Sequence, residues 1–453
     1  MPEEMELQSQ QHQRIKELHD ALDDGQITEA KVVLRELPPV DIALVLEASP
    51  PAERKLLWQL TKPEQQGEIL EELNEDVMEG VLQLLEPEQV AEVTEGMDTD
   101  DLAYVLRGLP EDDYQAVLEQ MTAQDRHRVE AALAYPEDTA GSIMNTDTIT
   151  LRPDVSVDVV LRYLRLRGEL PEATDALYVV DKQDRLIGDV PLAVLLTVDP
   201  QREVGDIMDR SAETIPVAMD DGEVAALFER HDWISAPVVD EEGKLLGRIT
   251  IDDVVDVIRE DAEHSMMGMA GMDDDEDTFA PVLKSTQRRT VWLAVNLCTA
   301  LIAASISNMF ENTLEALATL AVLMTIVPSM GGIAGNQTLA LVIRGMAVGH
   351  IGQGNTRWLI GKEAAIGMLN GVIWALAIGL VVSLWKGSLM LGLIISTAMF
   401  ANMAIAGLAG VLIPITMKRY NIDPALAGGM ALTTVTDVMG LFTFLGMATL
   451  LLR

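Results

Sequence analysis

Five long apolar runs after Arg289 constrain this chain more than any other feature. They cover about 290–310, 314–343, 358–385, 388–417 and 425–452. Each is long enough to cross a bilayer as a helix, which takes ~20 residues. In hydrocarbon every backbone N–H and C=O needs an internal partner, so runs of this kind fold as helices. The expected architecture is therefore multidomain, with an all-α membrane domain of five transmembrane helices over residues 284–453. Basic residues set the orientation. Lys284, Arg288 and Arg289 precede the first run, Arg344, Arg357 and Lys362 separate the second from the third, and Lys418 and Arg419 separate the fourth from the fifth. The opposite connections offer only Lys386, with Glu311 and Glu315. This positive-inside pattern expects the N-terminal half in the cytoplasm and the C-terminus outside a cytoplasmic membrane. The opening MPEEMELQSQQHQRIKELHD has no basic n-region before an apolar core, so no cleaved signal is expected. A single cysteine, Cys298, excludes a disulfide framework.

Two of the runs carry residues that a lipid-facing helix would avoid. In the second, LMTIVPSMGGIAGNQTLALVIRG holds Pro328, Gly331, Gly332 and Gly335, followed by Asn336, Gln337 and Thr338. A broken helix at membrane depth is tolerated where it is buried in protein or lines a wet cavity. The alternative is that small residues let helices approach closely. In the fifth, ALTTVTDVMGLFTFLGMATLLL holds Asp437, the one acid well inside any run; Glu363 and Asp423 lie near inner ends. A carboxylate at the bilayer centre costs at least ~2.5–3.5 kcal/mol. No Lys, Arg or His stands deep in the runs to pair with it; Lys362 lies near the inner end of the third. Either it is protonated against a neighbouring helix, or a cation in transit is its partner.

The other half is soluble in character and strongly acidic. The whole chain has 32 Lys/Arg and 72 Asp/Glu; residues 284–453 take ten and five of these, leaving residues 1–283 a balance of −45. Such a surface repels nucleic acid and attracts cations. A salt-adapted organism would also acidify its surfaces, but that would not place acids at particular motif positions. Over residues 30–134, Pro39, Pro51, Pro63 and Pro87 recur at multiples of about twelve, with Glu75, Thr99 and Glu111 in the remaining registers. Each mark opens a short apolar-periodic segment, and Pro suits a first helical turn. The pattern predicts an α-helical superhelix over 1–135. Next, ALYVVDKQDRLIGDVPLAVLL and SAPVVDEEGKLLGRITIDDVVDVI are two versions of one strand–turn–strand–helix unit about 60 residues apart. They resemble a tandem pair of cystathionine-β-synthase (CBS) domains, α/β units at 136–200 and 201–258. The resemblance implies at most one adenosine nucleotide (ATP) site. It lies in the second copy at Thr250 and Asp253, because GDVPLAVLL of the first copy lacks that pair. Residues 259–283 join this region to the first run as a connecting helix and an acidic linker, with the cluster DDDED at 273–277.

Superhelix, CBS pair, connecting helix and five spans, in that order, resemble the MgtE family of magnesium channels and transporters. The resemblance runs over the whole chain, and its most specific motifs are GGIAGNQT (331–338), DPALAGG (423–429) and TDVMGL (436–441). It implies a homodimer in a lipid bilayer, with the pore between subunits. Asp437 would recognise hydrated Mg²⁺, helped by backbone carbonyls near Thr433, and Asn336 would line the pore. It also implies that cytosolic Mg²⁺ bridges acidic faces of the N-domain, CBS pair and connecting "plug" helix and so closes the pore. By motif position the sensor acids are Asp98 and Asp100, Asp220, Asp232, then Asp253, Asp256 and Asp261, with Asp423 at the inner mouth. The chain departs from the family where plug acids are replaced by His264 and Ser265, and where Gly222 stands for an acid beside Glu223. The DDDED cluster either compensates or is a solvated bend.

Elementary chemistry agrees with this expectation. Mg²⁺ dehydrates reluctantly and is held through one or two carboxylates and water. A carbonyl filter would suit K⁺, and soft metals would prefer Cys or His. The same logic leaves open a transporter of Co²⁺ or Mn²⁺, or a divalent exporter. A chloride carrier would want positive potential along its path. An intramembrane aspartyl protease would need two carboxylates sharing a proton, and only Asp437 lies deep, so neither an enzyme nor a protein substrate is expected. A sensor with a passive anchor would leave Asp437 and the second run unexplained.

Overall fold

The computed structural model describes residues 16–452 other than 17, 19, 23, 25, 172, 273–275, 317, 348, 353 and 421. The leader reading of residues 1–15 and the first three acids of DDDED lie outside the described residues. The chain divides into two compact units, one of residues 1–260 with 275–281, the other of residues 261–274 with 282–453.

The first unit opens with short helices: α1 (Ile27–Leu34), α2 (Pro39–Glu47), α3 (Pro51–Leu60), α4 (Gln66–Glu71), α5 (Glu75–Leu82), α6 (Pro87–Val93), α7 (Thr99–Arg107), α8 (Glu111–Gln120) and α9 (Ala123–Leu133). Pro39, Pro51 and Pro87 sit in the first turns of α2, α3 and α6, where the missing N–H costs nothing. Pro63 instead opens a 3-10 turn ahead of α4. The apolar stripes of these helices share one core that includes Leu34, Ile42, Leu57, Leu70, Met78 and Val105.

Two small α/β lobes follow. The first has β1 (Thr150–Leu151), α10 (Val157–Arg167), β2 (Ala176–Val180), β3 (Leu186–Pro191), α11 (Leu192–Thr197) and α12 (Val204–Ile207). The second has β4 (Ile215–Pro216), α13 (Asp221–His231), β5 (Ser235–Val239), β6 (Leu245–Thr250) and the start of α14 (Ile251–Met269). The sheets are equivalent: β2 pairs parallel with β1 and antiparallel with β3, as β5 does with β4 and β6. The lobes exchange chain: Ala140 and Met144 lie in the core of the second lobe, and Asn145 bridges to Arg248.

The second unit holds the end of α14 and then α15 (Val282–Met309), α16 (Glu311–Ala316), α17 (Ala318–Leu323), α18 (Ile326–Ala347), α19 (Thr356–Lys386), α20 (Leu389–Arg419) and α21 (Pro424–Leu451). Five spans, with α17 and α18 together forming the second, have the length and hydropathy to cross a membrane. Helices α19 and α20 pack along glycines. A Cβ at Gly367 would meet the Met403 carbonyl at 2.9 Å, and one at Gly407 would meet the Glu363 carbonyl at 2.8 Å. Such backbone approach is how small residues drive helix association where no hydrophobic effect acts between spans. The interruption in the second span is not at Pro328. It falls at Met324 and Thr325, between α17 and α18, and Pro328 sits in the first turn of α18. The glycines that follow lie within continuous helix and serve close packing.

Candidate functional site

Helices α18 and α21 run antiparallel in a register that can be read rung by rung. A Cβ at Gly440 would lie 3.1 Å from Pro328, and one at Gly332 lies 3.8 Å from the Thr436 hydroxyl. One at Gly335 would lie 2.9 Å from Leu432, and one at Gly428 lies 3.2 Å from Leu339. The row 428/432/436/440 of α21 is therefore committed to α18. Residues four apart share a helix face, so Thr433 and Asp437 form the neighbouring row. Asn336 follows Gly332 by one turn and Gly335 by one residue, which brings it to the level of Leu432 and Thr433.

Along this row, Asp437 is half-buried and Thr433 and Asn336 are exposed. No hydrogen bond or ion pair reaches the Asp437 carboxylate from the described residues. The Thr433 hydroxyl donates back to the Gly429 carbonyl at 2.8 Å, and the Thr433 carbonyl accepts from the Thr436 hydroxyl at 3.0 Å. Thr433 thus offers a carbonyl beside a carboxylate one turn away. This set of a carboxylate, a carbonyl and an amide side chain is made of hard oxygen ligands and suits a hydrated divalent ion.

Behind the row are two buried polar side chains that sequence reasoning did not assign to the site. Glu363 of α19 is 3% exposed, accepts from the Thr338 hydroxyl at 3.2 Å and lies 3.0 Å from Lys362 Nζ. Asn402 of α20 is wholly buried and donates to the Val327 carbonyl at 2.8 Å. Neither has a motif; only its position in apolar sequence could have flagged it.

Asp423 is the N-cap of α21. Its Oδ1 accepts from the Ala425 N–H at 2.8 Å, and its Oδ2 accepts from the Leu426 N–H at 3.3 Å. His264 Nε2 lies 2.7 Å from the same Oδ2. A Cβ at Gly268 would lie 3.2 Å from Ala425, so the end of α14 rests on the first turn of α21.

The acidic residues of the first unit separate into a cluster and outliers. Asp98, Asp100 and Asp101 each bring a carboxylate oxygen within 4.8 Å of the others. Burial first, then Asp253, Asp101 and Asp98, push the Asp100 carboxyl well above the usual carboxylate range. Burial, Glu71, Asp98, Asp252 and Asp256 push Asp101 to about 7. Burial and then Asp252 push Asp253 to about 7, against hydrogen bonds from Thr250. Burial raises Asp256, with Arg259 opposing and Asp252 adding. The first turns of α7 and α14 thus share one acidic patch. The bland reason for acids there is that helix N-termini favour them, but that does not explain why two such turns face one another. Asp101 and Asp252 were not singled out from sequence; the runs DTDD and IDD were the available signal.

Asp220 and Asp232 lie at opposite ends of α13. Asp220 caps its N-terminus and accepts from the Glu223 N–H at 3.3 Å, whereas Asp232 ends it in the left-handed region at φ 52°. Neither is among the charges that act on the patch carboxylates. Asp261 is exposed and belongs to the second unit. Thr250 is buried, and its hydroxyl is held by Asp252 and, at 2.9 Å, by Asp253. The pair in the second lobe therefore already has a structural task, closing the start of α14. Beside it a cavity of about 450 Å³ is lined by Ala173, Ile251, Asp252, Val255 and Asp256.

Comparison with known proteins agrees with this division. Residues 324–447 match the MgtE family described as a divalent cation transporter, residues 37–138 match the MgtE intracellular N domain, and residues 140–198 and 204–260 match the CBS domain. The chain is 31% identical to the magnesium transporter MgtE of Bacillus subtilis (strain 168), over 94% of this chain and 95% of that protein. It is 33% identical to the magnesium transporter MgtE of Thermus thermophilus, over 72% and 73%. A crystal structure of the cytosolic domain of the Mg²⁺ channel MgtE in complex with ATP superposes with a TM-score of 0.50 at 32% identity, covering 54% of this chain and 99% of that one.

Proposed function

The chain belongs to the MgtE family of divalent cation transporters, and from that premise we propose how it carries its ion. It is a CBS-regulated Mg²⁺ transporter. The ion enters through a path lined by the row of Asp437 and Thr433, with Asn336 at the level of Thr433. Two copies in a cytoplasmic membrane face these rows to one another, so that two carboxylates and neutral oxygens hold an ion that keeps much of its water. The N-terminal unit is cytoplasmic and the C-terminus outside, a reading the basic flanks support. The observation that carries this reading is Asp437 itself: a half-buried acid on a membrane helix with no protein partner among the described residues, beside a committed packing row.

Control follows from the acidic patch. Carboxylates of Asp98, Asp100 and Asp101 cannot all ionise cheaply beside Asp252, Asp253 and Asp256, because like charges at short range repel. Cytosolic Mg²⁺ neutralises them, holds the first turns of α7 and α14 together and closes the path. Loss of the ion lets them separate. Asp423 contributes at the inner mouth, while Asp220, Asp232 and Asp261 supply further acids by motif position. ATP binds the CBS pair next to Thr250 and Asp253. Two carboxylates line the cavity there, so its phosphates would bring a cation with them.

The test is flux into proteoliposomes. Asp437→Asn keeps shape and removes charge, and it should abolish Mg²⁺ uptake while the protein stays folded in detergent. Normal uptake by that variant would remove Asp437 from the path. Competition among Mg²⁺, Mn²⁺, Co²⁺ and Ca²⁺ then ranks the ions.

A further inference from the structure

We infer that Asn402 is a positioning residue for the ion path, one that sets the register of α18 against α21; the inference rests on reading Asp437 as the ion contact. Asn402 lies near the middle of α20 and is 0% exposed. An amide in the centre of a membrane bundle is costly wherever its polar atoms are not met by protein. Its Nδ2 donates to the Val327 carbonyl at 2.8 Å, in the first turn of α18 and next to Pro328. Its Oδ1 is buried without a hydrogen-bond partner among the described residues. An apolar side chain of the same shape would avoid that orphan oxygen, so stability by itself does not explain an amide here.

The surroundings show what the amide does. A Cβ at Gly331 would fall 2.1 Å from Nδ2, and a Cβ at Gly440 would fall 3.0 Å from the same atom. The amide therefore fills a space that α18 and α21 both leave open with glycine. It touches the two helices that carry Asn336 and Asp437, and Gly440 is one turn beyond Asp437. At this junction α18 has just restarted after the interruption at Met324 and Thr325, and Pro328 packs on Gly440. A hydrogen bond from a third helix to Val327 fixes where α18 begins, and hence which of its residues meets each turn of α21. Thr338, held by Glu363, secures the same helix eleven residues further on.

The experiment compares Asn402→Leu, which keeps shape and loses the donor, with Asp437→Asn and the parent. All are purified full-length and checked for thermal midpoint before Mg²⁺ and Ca²⁺ flux is measured in proteoliposomes. For Asn402→Leu, the Mg²⁺ concentration giving half-maximal flux should rise about tenfold, and preference for Mg²⁺ over Ca²⁺ should fall. A merely structural role would lower maximal flux in proportion to folded protein and leave both quantities unmoved; that result overturns the inference. Should Asn402→Leu not fold, Gly440→Ala pushes a methyl toward the amide and should shift the same two quantities, and its failure to do so also overturns it. Conduction by Asp437→Asn would instead strike at the pore reading. An inactive Asp437→Asn together with an unshifted Asn402 variant strikes only at Asn402.

Discussion

Arg54 and Asp277, 223 residues apart in the chain, meet as a buried bidentate ion pair: Nη1 donates to Oδ2 at 2.6 Å and Nη2 donates to Oδ1 at 2.7 Å. Arg54 also donates through Nε to the Leu46 carbonyl at 2.8 Å, and the Asp277 N–H donates to Asp76 at 3.2 Å. Both side chains are 6% exposed. The segment around Asp277, which leads into the first span, is thereby part of the helical N-terminal domain's own packing. Removing one member leaves a buried charge, which costs about 3–5 kcal/mol. Asp277→Asn should therefore lower the thermal midpoint of the N-terminal unit and expose the chain near Pro281 to protease. An unchanged midpoint and cleavage pattern would mean that the pair contributes nothing net.

The acidic patch predicts a pH dependence with a definite sign. Asp101 and Asp253 titrate near 7 in the folded unit, above the ordinary carboxylate value of 3.8. The folded state then binds more protons than the unfolded state between these values, so stability falls as pH rises through that window. In chelator, the N-terminal unit should melt higher at pH 5.5 than at pH 8. Mg²⁺ should restore the midpoint at pH 8, and Asp101→Asn should flatten the profile. A wild-type midpoint that rises with pH over this range would contradict the burial and repulsion assigned to the patch.

Asp423 has two separable tasks. As an N-cap it is replaceable by Asn with little loss, whereas Ala costs about 1 kcal/mol. Asp423→Asn should keep the detergent midpoint of the parent and still raise the cytosolic Mg²⁺ needed for closure, measured as flux against internal Mg²⁺. Asp423→Ala should raise that threshold too and lower the midpoint as well. Equal closure thresholds in Asp423→Asn and the parent would reduce this residue to a helix cap.

The rung between Gly335 and Leu432 can be tested by size. With a Cβ only 2.9 Å from Leu432, Gly335→Val overpacks the interface, at a cost of typically 1–3 kcal/mol. Its midpoint should drop, and Leu432→Ala in the same chain should recover part of it. Additive losses in the double variant would show that the two residues do not share this contact.

The membrane spans, the proline-marked helices and the doubled lobe were all legible in the sequence because each is a local periodicity. Helix length, first-turn proline and strand alternation need no knowledge of distant residues. Asp437 was legible too, since a lone acid in an apolar run is anomalous wherever the run packs. The interruption of the second span was misplaced for an equally local reason: Pro328 and three glycines look like a break, yet proline is at ease in a first turn, and the glycines are there for neighbouring helices.

What the sequence by itself determined is thus the set of elements, their order and the anomalous acid. Tertiary structure alone decided which acids share a field, because Asp101 and Asp252 acquire meaning only when two helix starts are brought together. It also decided that Asp220 and Asp232 stand at the two ends of one helix, and that Asn402 fills a space left by glycines on two other helices. Charge repulsion and close packing depend on distance in space. Residues far apart in the chain carry no mark of that distance until the backbone has folded.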